Sequence, residues 1–175
     1  MGERAVTVTA ELADGWFPAY VTRDYFANWL PELEKIRRIA GKRDRPLTVI
    51  SGPIVFVHED ELTARQSVAN NLAWYLCAMG DVYSKFVASQ GYADEVVAVL
   101  QANPNSSPND SSVPQEAQIL LDQSTAYGSP AKVSAELKRW DDIVDVNILG
   151  ISPGIAWDDI QAILIAGAPR TTAAE

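Results

Sequence analysis

The chain has 175 residues, 47% of them hydrophobic, and a formal net charge of −9. That is enough for one domain with a core, and it argues against general disorder. A single Cys77 and a single His58 exclude an internal disulfide and a metal constellation, and an acidic whole repels polyanions.

No run approaches the roughly 18 apolar residues of a membrane span, and no signal-peptide pattern opens the chain. The expectation is therefore a cytoplasmic protein with no nucleic-acid or membrane partner.

The first pattern is helical. Ala5, Val6, Val8 and Leu12 are apolar within Arg4–Leu12, and no cap beyond Gly2 precedes them, so the helix is entered part-way through. Gly15 in ADGW can take the left-handed conformation that closes it. Trp16–Val21 reads as a short strand in which Pro18 needs an edge, a strand end or a bulge. Thr22 then starts a long helix with Phe26, Trp29, Leu30, Leu33, Ile36 and Ile39 on one stripe. Pro31 predicts a kink or two shorter helices, and Gly41 is the stop. Lys35–Arg45 gathers the basic residues. They read either as a phosphate or nucleic-acid patch or as the solvated C-terminal end of a helix, and the acidic whole favours the second.

Leu47–Val57 is the strongest strand signal, apolar on both parities and so expected to be buried on both faces. Gly52-Pro53 suggests a bulge or bend within it. His58-Glu59-Asp60-Glu61 leads into a helix from about Asp60 to Met79, with acidic groups where the helix dipole favours them. Further helices follow over Val82–Ser89 and Ala93–Gln101, divided at Gly91. Asn103–Val113 (NPNSSPNDSSV) is turn chemistry, expected as a surface loop or a flexible excursion. Gln115–Thr125 reads as a short amphipathic helix.

Tyr127–Ser152 is one complete unit: a loop, a helix capped by Ser129 with Pro130 at its first position, a turn, and a buried strand over Val144–Ile151. A last helix covers Trp157–Ala166, and the tail beyond Pro169 is expected to fray. Three strands, at about 16–21, 47–57 and 144–151, thus alternate with helices. That predicts an α/β fold with a parallel sheet, with too few strands to close an eight-stranded barrel.

Three blocks resemble a known family in order and spacing. GERAVTVTAELADGWFPAY is similar to the GPRxLxLAxExADGW segment of luciferase-like monooxygenases. LTVISGPIVFVHEDELTARQSVANNLAWYLCAMGDVYSKFVASQGYADEV resembles a block of their deazaflavin-using branch, in which a strand precedes a helix ending near YxxxMG. YGSPAKVSAELKRWDDIVDVNILGISPG resembles their GSPxxVxxxL helix and final strand.

The resemblance implies a partial TIM (β/α)8 barrel, with about five more strands in a full member. Residues 1–175 would be a single domain, the C-terminal half of such a barrel, truncated relative to a full member. Residues 80–126 would be a helical insertion with a flexible loop. It further implies an oxidoreductase or monooxygenase that uses coenzyme F-420 or FMN on a small-molecule substrate. The family's catalytic residues fall outside these blocks, so no catalytic residue is assigned here. The alternative is a non-catalytic half-barrel that forms a homo-oligomer or binds a partner. Either way, Val144–Ile151 should pair with Leu47–Val57 and leave its other side open.

Each candidate residue has a functional and a structural reading. Tyr75, Met79, Gly80 and Tyr83 fall where the family's insertion covers the barrel mouth. They are a substrate- or isoalloxazine-facing wall, or plain packing of an amphipathic helix. His58, at the end of the strongest strand, is an acid/base or a loop histidine, and the family commonly carries Gly there. Gly128 and Ser129 open a helix whose N–H groups could hold a phosphate, or they form an ordinary cap without a Gly-rich loop or Lys. Asp141-Asp142 and Asp158-Asp159 are sequence neighbours that do not face each other on a helix, and they read as structural.

Overall fold

The computed structural model describes residues 3–41 and 46–168. The cap at Gly2, the 42–45 part of the basic cluster and the tail beyond Pro169 lie outside them. Helix α1 (Glu3–Leu12) leads into strand β1 (Gly15–Trp16), helix α2 (Arg23–Ile39), and strands β2 (Thr48–Ser51) and β3 (Ile54–Val57). Helices α3 (Glu61–Ala78), α4 (Asp81–Val87) and α5 (Ala93–Ala102) follow, with a kink at Gly91 (φ +102°) in the segment Ala88–Tyr92 between α4 and α5. Helix α6 (Gln118–Ser124), strand β4 (Thr125–Gly128), helix α7 (Pro130–Asp141), strand β5 (Val146–Asn147) and helix α8 (Trp157–Gly167) complete the chain.

All strand pairs are parallel. One sheet has the order β1-β2-β5, and β3 pairs with β4 in a two-stranded ribbon. The sheet does not close into a barrel. Ile50 and Ser51 face Val146 and Asn147, and a bridge between Ile54 and Gly150 continues this pairing. The expected pairing of the last strand with Leu47–Val57 is therefore present.

Gly52 and Pro53 divide that long segment into two strands. A Cβ at Gly52 would collide with the Ile148 carbonyl oxygen and come within 2.7 Å of Asn147 Oδ1. The chain can bend here because glycine lets β5 approach and proline donates to no ladder. Beyond the bend, β3 takes β4 as its ladder partner, while the Ile54–Gly150 bridge and the bond from the Val55 amide to Gly150 O (2.8 Å) still tie it to the last strand.

Several expectations need correction. Of the predicted Trp16–Val21 strand only Trp16 pairs, together with Gly15 before it. Pro18 lacks an N–H, Phe17 is exposed, and Tyr20 has φ +55°, so the chain turns across the end of the sheet. Pro31 neither divides nor ends α2. It lies on the exposed face with Ala27, whose carbonyl water can satisfy. Thr125–Gly128, expected as a helix end and a loop, is strand β4. Val144–Ile151 is not buried on both faces: Val146 is 45% and Ile151 37% exposed, on a strand with a partner on one side only.

The core has three parts. Phe26, Leu33, Val49 and Trp140 pack under the three-stranded sheet. Val55, Val57, Ala126, Val133, Leu137 and Ile163 fill the space between the ribbon, α7 and α8. Leu72, Leu76, Val96, Val99, Leu120 and Leu121 unite α3 with α5 and α6. Arg37, from the basic cluster, is buried, and its Nη1 donates to the carbonyls of Ala10 (3.1 Å) and Ala13 (3.0 Å). That arginine closes the C-terminal end of α1. The loop at 103–113 is fastened by Asn103, which donates to Ser112 O at 2.8 Å and accepts from Ser112 N at 2.8 Å.

Candidate active site

Because β1, β2 and β5 run parallel, their C-terminal ends lie on one side of the sheet. The segments that leave them line a cavity of about 300 Å³, closed on the far side by Asn71 and Tyr75 of α3. Phe17–Val21 comes from β1, Ser51–Ile54 from β2, and Ile148 to Pro153 from β5. Val21, Ile54, Ile148 and Ile151 make the lining largely apolar.

Tyr20 is the most constrained residue of this wall. A φ of +55° is costly for a tyrosine and persists only where the surroundings fix it. Its ring packs on Tyr75 at 4.7 Å and on Tyr83 at 4.9 Å, and its hydroxyl donates to Asn71 Oδ1 at 3.3 Å. Burial, then the phenols of Tyr75 and Tyr83, push the Tyr20 pKa well above its ordinary value, so it stays a neutral donor. Its backbone is held by Gln90, beside the Gly91 kink between α4 and α5. Gln90 Nε2 donates to the Tyr20 carbonyl at 3.1 Å, and Gln90 Oε1 accepts from the Thr22 amide at 2.8 Å.

The candidate residues fall at two places. Tyr75 lines the cavity. Tyr83 packs behind it at 5.7 Å, facing a neighbouring surface depression with Pro18 and Phe86. Met79 is 44% exposed one turn beyond Tyr75, and Gly80 is the N-cap of α4 with φ +75°, a backbone conformation that favours glycine.

His58, Gly128 and Ser129 gather elsewhere, at the end of the ribbon. The His58 amide donates to Gly128 O at 2.9 Å, while the His58 ring accepts from the Asp60 amide at 3.0 Å and is exposed. Ser129 Oγ accepts from the Lys132 amide at 3.4 Å. Sequence reading paired no lysine with this turn, yet Lys132 stands beside it, held to Glu61 at 2.5 Å and lying over the Tyr127 ring at 4.6 Å. Partial burial pulls the Lys132 pKa down, but Glu61 outweighs it and the net shift is upward.

Asp141 and Asp158-Asp159 have structural roles. The first accepts from Asn147 Nδ2 at 2.8 Å, and the other two sit in the first turn of α8. Sequence reasoning missed Tyr20, Asn71, Ser51 and Gln90. The one available signal was an aromatic segment, WFPAY, at a strand end.

The cavity suits a flat ring better than the ribbon end suits a phosphate. Aromatic faces and backbone at Gly52-Pro53 bound the first. At the second, Asp60 and Glu61 flank the turn and Lys132 is already paired with Glu61. Among the described residues, no group of three or more His, Cys, Asp or Glu could hold a metal ion, and no helix is long and apolar enough to cross a membrane.

A sequence profile described as luciferase-like monooxygenase matches residues 1–145. No curated protein sequence matches the chain. Among solved structures, the chain is similar to the coenzyme F-420 dependent tetrahydromethanopterin reductase of Methanopyrus kandleri, with a TM-score of 0.60 and 17% identity over 95% of this chain and 47% of that one. It is also similar to the EDTA monooxygenase of Chelativorans sp. BNC1, with a TM-score of 0.52 and 11% identity over 95% of this chain and 44% of that one. At these identities the likeness shows the fold alone, which is that of part of a TIM-like barrel, and the chain spans about half the length of the structures it matches. With the profile matching most of its length, the chain belongs to the luciferase-like monooxygenase family.

Proposed function

We propose that the chain forms part of an oxidoreductase that uses coenzyme F-420 or FMN on a small-molecule substrate. The observation that carries this reading is the aromatic cavity at the C-terminal ends of three parallel strands, the end at which TIM-barrel enzymes place their chemistry. When bound, such a cofactor supplies hydride transfer or oxygen activation. The chain's own residues bind and orient. Tyr20 and Tyr75 present the wall to a ring, Asn71 fixes the Tyr20 hydroxyl, and Val21, Ile54, Ile148 and Ile151 exclude water. Met79, Gly80 and Tyr83 lie outside the cavity lining, and Tyr83 supports the wall from behind Tyr75. Gly128 and Ser129 are kept as a secondary phosphate locus, with Lys132 redirected from Glu61 if an anion binds. His58 takes no part, since its ring is committed to the Asp60 turn.

Because the chain spans about half the length of the solved relatives, the 175-residue polypeptide alone is expected to hold cofactor weakly and to be inactive. Titration with FMN and with coenzyme F-420, followed by cofactor absorbance, tests this. Weak binding is expected. Tight stoichiometric binding contradicts the half-site account, and no binding of either cofactor contradicts the cofactor-facing cavity.

A second reading is a non-catalytic half-barrel that pairs with a second copy. It is favoured by the one-sided β5 edge, where Val146 and Ile151 are exposed, since open edges invite pairing. Sedimentation separates the two: a monomer at high concentration argues against the dimer.

A further inference from the structure

Beside the aromatic cavity lies a groove of about 200 Å³ with a different lining. Ser67, Asn70, Asn71 and Trp74 recur along α3 at three- and four-residue spacing and form one half-buried face of that helix. The opposite wall is Ser152, Pro153 and Gly154, and Asn109 closes one end. Asn71 and Pro153 also line the aromatic cavity, so the two spaces share a wall.

No charged side chain lines the groove. Asn70 Oδ1 already accepts from Gln66 Nε2 and from the Ser111 amide, each at 3.0 Å, but other polar groups of the lining are free to bind. Ser152 is only 9% exposed and its Oγ has no hydrogen-bond partner. Asn71 accepts from Tyr20 through Oδ1, which leaves its amide hydrogens directed elsewhere. The Trp74 indole N–H is a donor only. A buried hydroxyl without a partner is costly, and a ligand oxygen relieves that cost.

We propose that the cavity and the groove form one binding site, divided at Asn71, that takes a ligand with a flat apolar body and an uncharged oxygen-bearing substituent, a hydroxyl or an amide. Donors without a cation, in a protein of net charge −9, favour a neutral oxygen over a carboxylate or phosphate. This rests on the reading of the cavity as the ligand-facing site and names the chemistry of what enters it. Ser152 and Asn71 are the residues that set the preference, Ser152 after a rotation of its χ1.

The test uses the whole chain and four probes of one shape: propylbenzene, 3-phenylpropanol, 3-phenylpropanamide and 3-phenylpropanoate. Binding is read by amide chemical shifts. All but the carboxylate are expected to perturb Tyr20 and Tyr75. The alcohol and the amide should also perturb Ser152 and Asn71, and bind about five-fold tighter than propylbenzene, as one or two net hydrogen bonds allow. Ser152→Ala should remove that gain and leave propylbenzene binding intact. If propylbenzene binds but the polar probes gain nothing, or the carboxylate binds as well as the amide, the groove assignment is overturned while the cavity stands. If propylbenzene does not perturb Tyr20 or Tyr75, the cavity reading fails and takes this one with it.

Discussion

Gln90 Oε1 accepts from both the amide (2.8 Å) and the hydroxyl (2.9 Å) of Thr22, across 68 residues of chain. With Gln90 Nε2 on the Tyr20 carbonyl, one buried side chain between α4 and α5 fixes the loop that carries the strained tyrosine. Gln90→Leu keeps the volume but leaves the Thr22 amide and the Tyr20 carbonyl unpaired. It should cost about 2–3 kcal/mol in urea unfolding, since each buried orphan is expensive. A loss below about 0.5 kcal/mol, the level of a neutral surface change, would mean that Gln90 does not hold this loop.

Tyr20→Phe separates the ring from the hydroxyl. The aromatic contacts with Tyr75 and Tyr83 survive and only the bond to Asn71 is lost, so the expected cost is about 1 kcal/mol. Tyr20→Ala also removes the ring and should cost about 3 kcal/mol or more. Equal effects of the two substitutions would show that the packing contributes nothing. Thermal and urea unfolding of both variants check this.

Gly52 permits the contact between β2 and β5. In Gly52→Ala the new methyl would meet the Ile148 carbonyl, which is backbone and cannot swing away. The expected loss is about 3 kcal/mol, at the upper end for overpacking, with weaker protection from hydrogen exchange at Ile148 and Gly150. A loss under about 1 kcal/mol would mean the strands do not approach so closely.

Asp60 caps α3 at the end of the ribbon. The Thr63 hydroxyl at 2.7 Å and then the Leu62 amide at 3.2 Å hold its carboxyl below the usual carboxylate range. A depressed folded-state pKa contributes stability that is present above the unfolded value and lost as pH falls through the folded one. Unfolding midpoints measured down through about pH 4 should therefore fall more steeply for the native chain than for Asp60→Asn, which still caps but does not titrate. Parallel pH profiles would contradict this.

Much of the fold was legible in residue patterns. The stripe of Phe26, Leu33 and Ile36, the Ser129-Pro130 start of α7 and the apolar run at Leu47–Val57 each carry a local signal. Strand β4 was not legible. Thr125–Gly128 is four residues long, directly follows a helix, and becomes a strand only because β3 stands beside it. The last strand misled for the opposite reason: its apolar residues promised burial on two faces, but burial also depends on what lies across the open edge. The candidate site was half legible. Tyr75 falls on an aromatic helix that can be read in sequence, whereas Tyr20 is set by a positive φ and by Gln90, far away in the chain, and neither is a local property. His58 was conspicuous as the single histidine and for its place at the end of the strongest strand.

The most direct test of the account is to map coenzyme F-420 onto the chain by amide chemical shifts during a titration. The account predicts weak binding with the largest shifts at Tyr20, Tyr75 and Ser51–Ile54, and small ones at His58. Shifts confined to the ribbon end, at His58, Gly128 and Ser129, with Tyr20 and Tyr75 unchanged, would contradict it.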